Sequence, residues 1–309
     1  MKAEPKIISA SRRTDIPALY AEWFINRVKA GYCLVPNPYN RKQVSRVSLA
    51  PNDVAVMVFW TRNPGPILPY LNELDDRGIH YYFQFTVMSN PREIDPHTPS
   101  LHAALETFRR LVDHVGPHRV IWRYDPIVFT ETTNREFHLD VFANIADQLE
   151  NLTHRCVVSI VDEYRKTKSR MVSLSKLPGF KVEGYQPLLH EAMFREMQGI
   201  AFERGMELTS CAEEIDLLSL GIKPGKCIDD EFIREVFDID VTHKKDKSQR
   251  EACGCVESRD IGVYDTCILG CKYCYATSSF DKALTNYKEH DIDAPSLING
   301  IEDPVQPNA

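Results

Sequence analysis

The chain has 309 residues, which is enough for one large domain or two ordinary ones. Its 43% hydrophobic and 26% charged residues are typical of a soluble globular protein. The 44 acidic and 37 basic residues leave a net charge of −7, which gives no general support for a nucleic-acid or membrane-binding surface.

Two further features bear on the compartment. No segment approaches the roughly 18 apolar residues of a membrane span, and the first residues, MKAEPKIISASRRTD, lack the long apolar stretch of a secretory signal. We therefore expect a cytoplasmic protein with no membrane partner. In that compartment the nine cysteines indicate metal binding or redox chemistry rather than a disulfide framework.

Short apolar runs alternate with amphipathic helical segments. The predicted strands are IISA (7–10), VAVMVFW (54–60), YYFQFTV (81–87), RVIWRY (119–124), CVVSIV (156–161), ELTSC (207–211) and DIGVYDT (260–266). The first helix is expected over about 18–30 and the last over about 277–289. Continuous apolar strands are typical of parallel sheets, and strand–helix alternation requires right-handed βαβ units. The predicted fold is α/β: a TIM-like (β/α) barrel, partial or closed, of about seven strands, forming one domain over 1–294.

Other segments depart from this alternation. CLVPNPYNRKQVSRVSL (33–49) is typical of an inserted hairpin and can supply an eighth strand. KKDKSQR (244–250) predicts a charged surface connector. The portion 207–280 is rich in cysteine, and 295–309 is expected to be an irregular tail.

Polar side chains cluster at the predicted carboxyl ends of the strands, where barrel proteins carry their chemistry. They are Ser9, Ser11, Arg12, Arg13, Asp15, Thr61, Arg62, Asn63, Gln84, Thr86, Arg123, Tyr124, Asp125, Asp162, Cys211 and Glu213. For any single one of them, turn chemistry or helix capping is the favoured explanation. So many arginines and carboxylates together indicate a ligand-binding mouth.

A basic segment, YRKTKSR (164–170), is expected to overhang this mouth. Its four cations are Arg165, Lys166, Lys168 and Arg170. They suit a phosphate-bearing substrate, a nucleotide or a nucleic acid. The net negative charge favours the alternative of a solvated surface loop, so nucleic acid is not the preferred partner.

The eight-residue segment CILGCKYC contains three cysteines, Cys267, Cys271 and Cys274. An iron–sulfur cubane is normally held by four thiolates, so three ligands leave one iron open to another molecule. A zinc knuckle more typically pairs CxxC with a second CxxC or with histidines, and that pattern is absent.

The segment DTCILGCKYCYA resembles the cluster loop of the radical S-adenosylmethionine (SAM) superfamily, CxxxCxΦC, with Tyr273 at the aromatic position. The resemblance implies that Cys267, Cys271 and Cys274 ligate a [4Fe–4S] cluster. It also implies that SAM chelates the fourth iron and is cleaved to methionine and a 5′-deoxyadenosyl radical, which abstracts hydrogen from an unknown substrate. An electron donor such as flavodoxin or ferredoxin is then required.

The superfamily carries this loop after its first strand, whereas here it follows the last predicted one. A circular permutation accounts for the difference: strand 260–266 takes the place of the first strand and 7–10 that of the second. With CxC ahead of a C-terminal CxxxCxxC, the chain resembles the bacterial family DUF1848 over most of its length, a resemblance that implies no substrate.

The same resemblance directs attention to SASRRTD. In the superfamily the loop after the second strand holds the SAM amino group through Gly-Gly-Glu, which is absent here. Ser9, Ser11, Arg12, Arg13 and Asp15 are available to replace it. An arginine suits the methionyl carboxylate, and Asp15 suits the ammonium group.

Four other cysteines, Cys211, Cys227, Cys253 and Cys255, suffice for an auxiliary [4Fe–4S] cluster or a structural zinc. The alternative for Cys211 and Cys227 is that they are simply small buried residues. The remaining two, Cys33 and Cys156, lie in apolar contexts and are expected in the core.

Three functions other than adenosyl-radical chemistry stay open from the sequence. An iron–sulfur electron-transfer or redox-sensing protein would hold a fully ligated cluster and bind no SAM. A zinc-stabilised module would use the basic segment to bind nucleic acid. A third possibility is transfer of the 3-amino-3-carboxypropyl group of SAM.

Overall fold

Strands and helices alternate along most of the chain. The computed structural model describes residues 4–162 and 164–304. Within these ranges the strands are β1 (Lys6–Ala10), β2 (Tyr32–Pro36), β3 (Val44–Ser48), β4 (Val54–Thr61), β5 (Tyr81–Thr86), β6 (Val120–Ile127), β7 (Arg155–Ile160), β8 (Glu207–Cys211), β9 (Lys223–Gly225) and β10 (Arg259–Asp260). The α-helices are α1 (Ile16–Leu19), α2 (Ala21–Ala30), α3 (Leu71–Asp76), α4 (Leu101–Val115), α5 (Arg135–Leu149), α6 (Lys168–Leu174), α7 (Pro187–Glu203), α8 (Asp230–Phe237) and α9 (Phe280–Lys288).

Eight strands form one sheet in the order β10-β1-β4-β5-β6-β7-β8-β9, and every neighbouring pair is parallel. The α/β class is therefore confirmed. Among the described strands β10 and β9 are the two edges and do not pair with each other, so no closed barrel forms. The eighth strand is β9, whose sequence KPG carries no apolar run. The pair β2 and β3 stands apart as a separate antiparallel sheet.

The last strand lies beside the first, as predicted, but it is much shorter than 260–266. Ile8 pairs with Arg259 and Ser9 with Asp260, after which the backbone leaves the sheet. The reason is local: the Val263 N–H donates to Thr14 Oγ1 (3.2 Å), and the Val263 carbonyl accepts from that hydroxyl (2.8 Å). These side-chain bonds replace the ladder that a longer strand would need.

The two faces of the sheet have different partners because side chains alternate along each strand. On β5, Tyr81, Phe83 and Phe85 join the large apolar core with helices such as α2, α4, α5 and α7. Tyr82 belongs instead to a smaller buried cluster with α8 and the segment 227–256. Gln84 is also fully buried and donates to the Cys227 carbonyl, so polar chemistry lies on this second face.

The ends of the described chain pack against this framework. The single helix expected over 18–30 is two helices, α1 and α2, which meet at Tyr20. Residues 295–304 contain no helix or strand, and Leu297 is buried there. The remainder of the predicted tail, 305–309, lies outside the described residues. No helix in the described ranges combines the length and apolar character needed to cross a bilayer.

Candidate functional site

Three cysteine side chains lie together between β10 and α9, beyond the carboxyl end of β1. We call residues 267–274 the thiol loop. Burial, and then neighbouring Cys274, raises the pKa of Cys267 to about 12. Burial also raises the pKa of Cys271 well above its ordinary value, with smaller contributions from the other two cysteines. Because Cys274 contributes to the raised pKa of both Cys267 and Cys271, the three thiols lie near one another in this loop.

Gly270 gives the thiol loop its shape. Its φ is +76°, a left-handed conformation that favours glycine. A Cβ atom there would lie 2.9 Å from Pro96 Cγ and 3.1 Å from His97 Cδ2. Backbone bonds hold the two segments together: Lys272 N donates to the Ile94 carbonyl at 3.0 Å. The loop therefore depends on a close approach to the segment that follows β5.

Tyr273 is tied to two charged residues. Its hydroxyl donates to Asp95 Oδ2 at 3.1 Å and accepts a bond from Arg62 Nη2. Arg62 also forms an ion pair with Asp95 at 3.4 Å. The second oxygen, Asp95 Oδ1, is buried and has no hydrogen-bond partner. Sequence reasoning missed Asp95, because nothing in an ordinary turn sequence indicates a contact with a tyrosine 178 positions away.

Asp15 is the member of SASRRTD that reaches the thiol loop. Its backbone N–H lowers the pKa of Cys267. Its carboxylate accepts from Arg62 N at 2.7 Å and from Ala18 N at 3.1 Å, the latter capping α1. Burial, against these hydrogen bonds, raises the pKa of Asp15 to about 6.

Three other members of SASRRTD are bonded to Asp260. Ser9 Oγ and Arg12 N donate to its Oδ2 at 3.0 and 2.9 Å, and Arg13 Nε donates to Oδ1 at 3.0 Å. Ser11 instead organises the turn, since its hydroxyl accepts from Arg13 N at 3.0 Å. These contacts fix the loop against β10 and leave the Arg13 side chain satisfied within the protein.

The Arg12 guanidinium points away from this turn toward another set of thiols. It lies 3.4 Å from Asp246 and over the ring of Trp60. Burial alone would lower the pKa of Arg12, but nearby Cys255 and Cys227 raise it above its ordinary value.

Those thiols are Cys211, Cys227, Cys253 and Cys255, the four-thiol group. Cys211 Sγ lies 3.3 Å from Cys227 Sγ, and both residues are free cysteines. A hydrogen bond with Cys211 lowers the pKa of Cys227, but a hydrogen bond with Cys255 and burial raise it. The net result is a pKa raised to about 11. Hydrogen bonding to Cys255 lowers the pKa of Cys253 to about 7. Each thiol therefore contacts at least one other member.

Arg123 supports this group from β6. Its Nη1 donates to Cys227 Sγ at 2.8 Å and to Gln84 Oε1 at 3.2 Å, and its Nη2 donates to Asp125. Arg123, Gln84 and Asp125 were all predicted to lie at the mouth. Tyr124, predicted there too, points to the opposite face because side chains alternate, and its hydroxyl meets His138 Nδ1 at 2.8 Å.

Metal geometry is not preformed in the part of the chain that the structure describes. No three or more His, Cys, Asp or Glu side chains there are grouped so as to hold a metal ion. The donor set of both cysteine groups is nevertheless thiol, the ligand type that iron–sulfur clusters use.

The remaining predicted mouth residues divide between turns and the rim. Thr61 Oγ1 accepts from Asn63 N at 2.9 Å, which is turn chemistry, and Thr86 lies on β5 in register with Arg123 of β6. Asp162 pairs with Arg250.

Glu213 occupies the same rim as Asp162. Its Oε1 accepts from Ile160 N at 2.8 Å. Burial raises the pKa of Glu213 to about 7, against the effect of that hydrogen bond.

The basic segment 164–170 is partly helical, since α6 begins at Lys168. Arg170 donates to the Cys274 carbonyl and, at 2.9 Å, to the Thr277 carbonyl. Lys166 lies over the Tyr264 ring at 4.3 Å, while Arg165 is exposed. One of the four cations therefore anchors the thiol loop.

The molecule so described is an open parallel α/β protein with two groups of thiols at one end of its sheet. It belongs to the family described as Domain of unknown function (DUF1848), whose model matches residues 7–276. No curated protein matches the chain. The solved structures it is similar to include a "putative alpha-L-fucosidase" from Bacteroides thetaiotaomicron VPI-5482, with 9% identity over 78% of this chain and 83% of that chain and a TM-score of 0.26.

Proposed function

We propose that this protein is a radical SAM enzyme that holds a [4Fe–4S] cluster on Cys267, Cys271 and Cys274. The observation that carries the proposal is the thiol loop itself: three mutually interacting thiols within eight residues, with no fourth cysteine in the loop. Three thiolates leave one iron of a cubane open to SAM.

The position of the loop supports a circularly permuted radical SAM fold. β10 pairs in parallel with β1, and the loops that follow these two strands meet where the Asp15 N–H faces Cys267. A chain cut between the first and second strands of a superfamily barrel would have this arrangement. The open eight-stranded sheet is compatible with a partial barrel.

Two carboxylates beside the thiol loop differ in their capacity to accept the SAM ammonium group. Both oxygens of Asp15 already accept backbone N–H bonds. Asp95 Oδ1 is buried without a partner, and Asp95 raises the pKa of Cys271, which places it near that thiol. We therefore assign the ammonium contact to Asp95, with Asp15 shaping the wall beside Cys267.

Arg62 and Arg170 supply positive charge around the loop. Arg62 lowers the pKa of Cys271, and Arg170 holds the Cys274 carbonyl. A cluster held by Cys267, Cys271 and Cys274 would supply the one-electron reduction that cleaves SAM. Arg62 and Arg170 would hold the loop and help to exclude water. A flavodoxin or ferredoxin would supply the electron.

The test is anaerobic reconstitution of the full chain with iron and sulfide, followed by reduction in the presence of SAM. We expect 5′-deoxyadenosine and methionine from the wild type and neither from Cys271→Ala. The matched control is Cys33→Ala, which removes a fully buried core thiol of β2 and should keep the activity.

Product analysis separates the alternatives. A product that carries the 3-amino-3-carboxypropyl group would favour transfer of that group over adenosyl-radical chemistry. A wild type that carries iron and sulfide but cleaves no SAM would favour an electron-transfer or redox-sensing protein. If Cys271→Ala also kept the full cluster absorbance, the thiol loop would not be the cluster site.

A further inference from the structure

We infer that the four-thiol group binds an iron–sulfur cluster of its own, separate from the thiol loop. The group is assembled from three distant places: the end of β8, the segment after β9, and the CGC of 253–255. Four thiols from these separate segments therefore lie in one largely buried contact network.

The group is largely buried but reaches solvent at one member. Cys227, Cys253 and Cys255 are buried and Cys211 is partly exposed, so at least one side of the group is open to an entering metal. The Sγ atoms of Cys211 and Cys227 are 3.3 Å apart without being bonded. The Ile228 N–H donates to Cys255 Sγ at 3.4 Å, as backbone amides do around cluster thiolates.

Two guanidinium groups lie near these sulfur atoms, that of Arg123, which is buried, and that of Arg12, whose side chain is 13% exposed. Arg123 Nη1 donates to Cys227 Sγ at 2.8 Å. Arg12 lies close enough to Cys255 and Cys227 to interact with both, and its Nη2 is buried without a hydrogen-bond partner. An unpaired buried donor is costly. A cluster held by four thiolates is anionic and presents sulfide acceptors, so it would satisfy Arg12 Nη2 and balance the two cations.

Four thiol donors are a ligand set used by both iron–sulfur clusters and zinc ions. We assign the cluster because four thiolates with donors aimed at sulfur match the environment that tunes iron–sulfur centres. The experiment below separates the two metals.

The test eliminates the iron that the thiol loop would bind, so that only iron held elsewhere is measured. Full-length chain carrying Cys267→Ala, Cys271→Ala and Cys274→Ala is reconstituted anaerobically with iron and sulfide, and the metals are quantified. We expect about four iron per chain in this variant and about eight in the wild type, because each cubane holds four. The inference survives even if the wild type cleaves no SAM, so its failure and that of the proposed function are distinguishable.

Further substitutions in the triple variant identify the cluster ligands. Adding Cys253→Ala and Cys255→Ala to the triple variant should abolish iron binding, whereas adding Cys33→Ala should leave it unchanged. Circular dichroism establishes that each variant is folded. Iron-free protein in the folded triple variant would overturn the inference. Zinc bound without iron or sulfide would overturn the cluster assignment, and so would a Cys211–Cys227 disulfide in protein that takes up no iron under reducing conditions.

A third variant avoids the ligands. In the triple background, Arg12→Met removes the unpaired donor and one cation, and should lower the midpoint potential of the remaining cluster, because hydrogen bonds and positive charge stabilise the reduced state. Arg234→Met, on the exposed side of α8, is the control and should leave the potential unchanged. Equal potentials in the two variants would place the cluster away from Arg12 and overturn the site.

Discussion

The three cysteines of the thiol loop lie within eight residues, whereas the four-thiol group draws its members from positions 211 to 255. The first arrangement is contained in one short turn with a left-handed Gly270, which packs against the segment after β5. The second depends on the sheet, because β8, β9 and β6 carry or support its members. A short motif can thus be shaped by its own turn, while a dispersed group has no geometry until the fold has formed.

The arginines that support the two groups differ too: Arg123 is buried beside the four-thiol group, and Arg170 is partly exposed beside the thiol loop. The largest expected loss of stability is therefore at Arg123. Arg123→Met removes a buried cation that serves Cys227, Gln84 and Asp125. It leaves the Asp125 carboxylate without its guanidinium, and breaking such a pair costs about 3 kcal/mol. We expect that loss in the free energy of unfolding of the metal-free chain, measured by urea denaturation under anaerobic reducing conditions.

Arg170→Met is the matched change at the thiol loop. Arg170 is partly exposed and donates to two backbone carbonyls, so its loss should cost about 1 kcal/mol. Equal losses for the two variants would show that the dispersed group depends no more on the core than the loop does.

A second prediction tests whether the close approach of Gly270 to Pro96 shapes the thiol loop. Gly270→Ala places a side chain at φ +76° and brings Cβ within 2.9 Å of Pro96. We expect a loss of about 2 kcal/mol, of which roughly half comes from the left-handed backbone. Iron uptake at the thiol loop should fall with it, and the iron of the four-thiol group should not change.

Gly78→Ala provides the control for that variant. Its φ is +68°, and an added Cβ would meet no atom within 4 Å. It should therefore show the backbone cost alone, about 1 kcal/mol, with iron uptake unchanged. If the two alanine variants lost the same stability, the contact with Pro96 would not shape the loop.

The same contrast explains what could be predicted from the sequence. The apolar runs gave β4, β5, β6 and β7 because strands buried on both faces are continuous in sequence. The strand β9 was missed since KPG has no such run, and 260–266 was extended too far because side-chain bonds to Thr14 end the ladder. Local patterns carry no information on contacts of this kind.

In the candidate site, too, the residues of a local motif could be predicted and those placed by long-range contacts could not. The thiol loop is visible in CILGCKYC, while the role of Asp95 depends on a hydrogen bond to Tyr273 across 178 positions. The Arg12 side chain was expected beside the thiol loop and instead faces Cys255 and Cys227. The direction of a side chain in an irregular loop is decided by packing, here over Trp60, and not by the sequence around it.

The smallest effect is expected at the tyrosines on either side of Cys274, one of which contacts the Arg12 carbonyl. Tyr273→Phe removes a hydroxyl that donates to Asp95 and accepts from Arg62, and should cost about 1 kcal/mol. Tyr275→Phe removes a hydroxyl that donates to the Arg12 carbonyl at 2.9 Å on a residue 37% exposed, so water replaces the lost bond and about 0.5 kcal/mol is expected.

Thermal unfolding of the two phenylalanine variants, side by side with the wild type, measures this difference. The reason for the order is burial: the Tyr273 hydroxyl meets a carboxylate that is 1% exposed, where solvent cannot take its place. A larger loss for Tyr275→Phe would mean that the contact toward Arg12, and thus toward the four-thiol group, stabilises the thiol loop more than its own wall does. The two groups would then form one structural unit and not two.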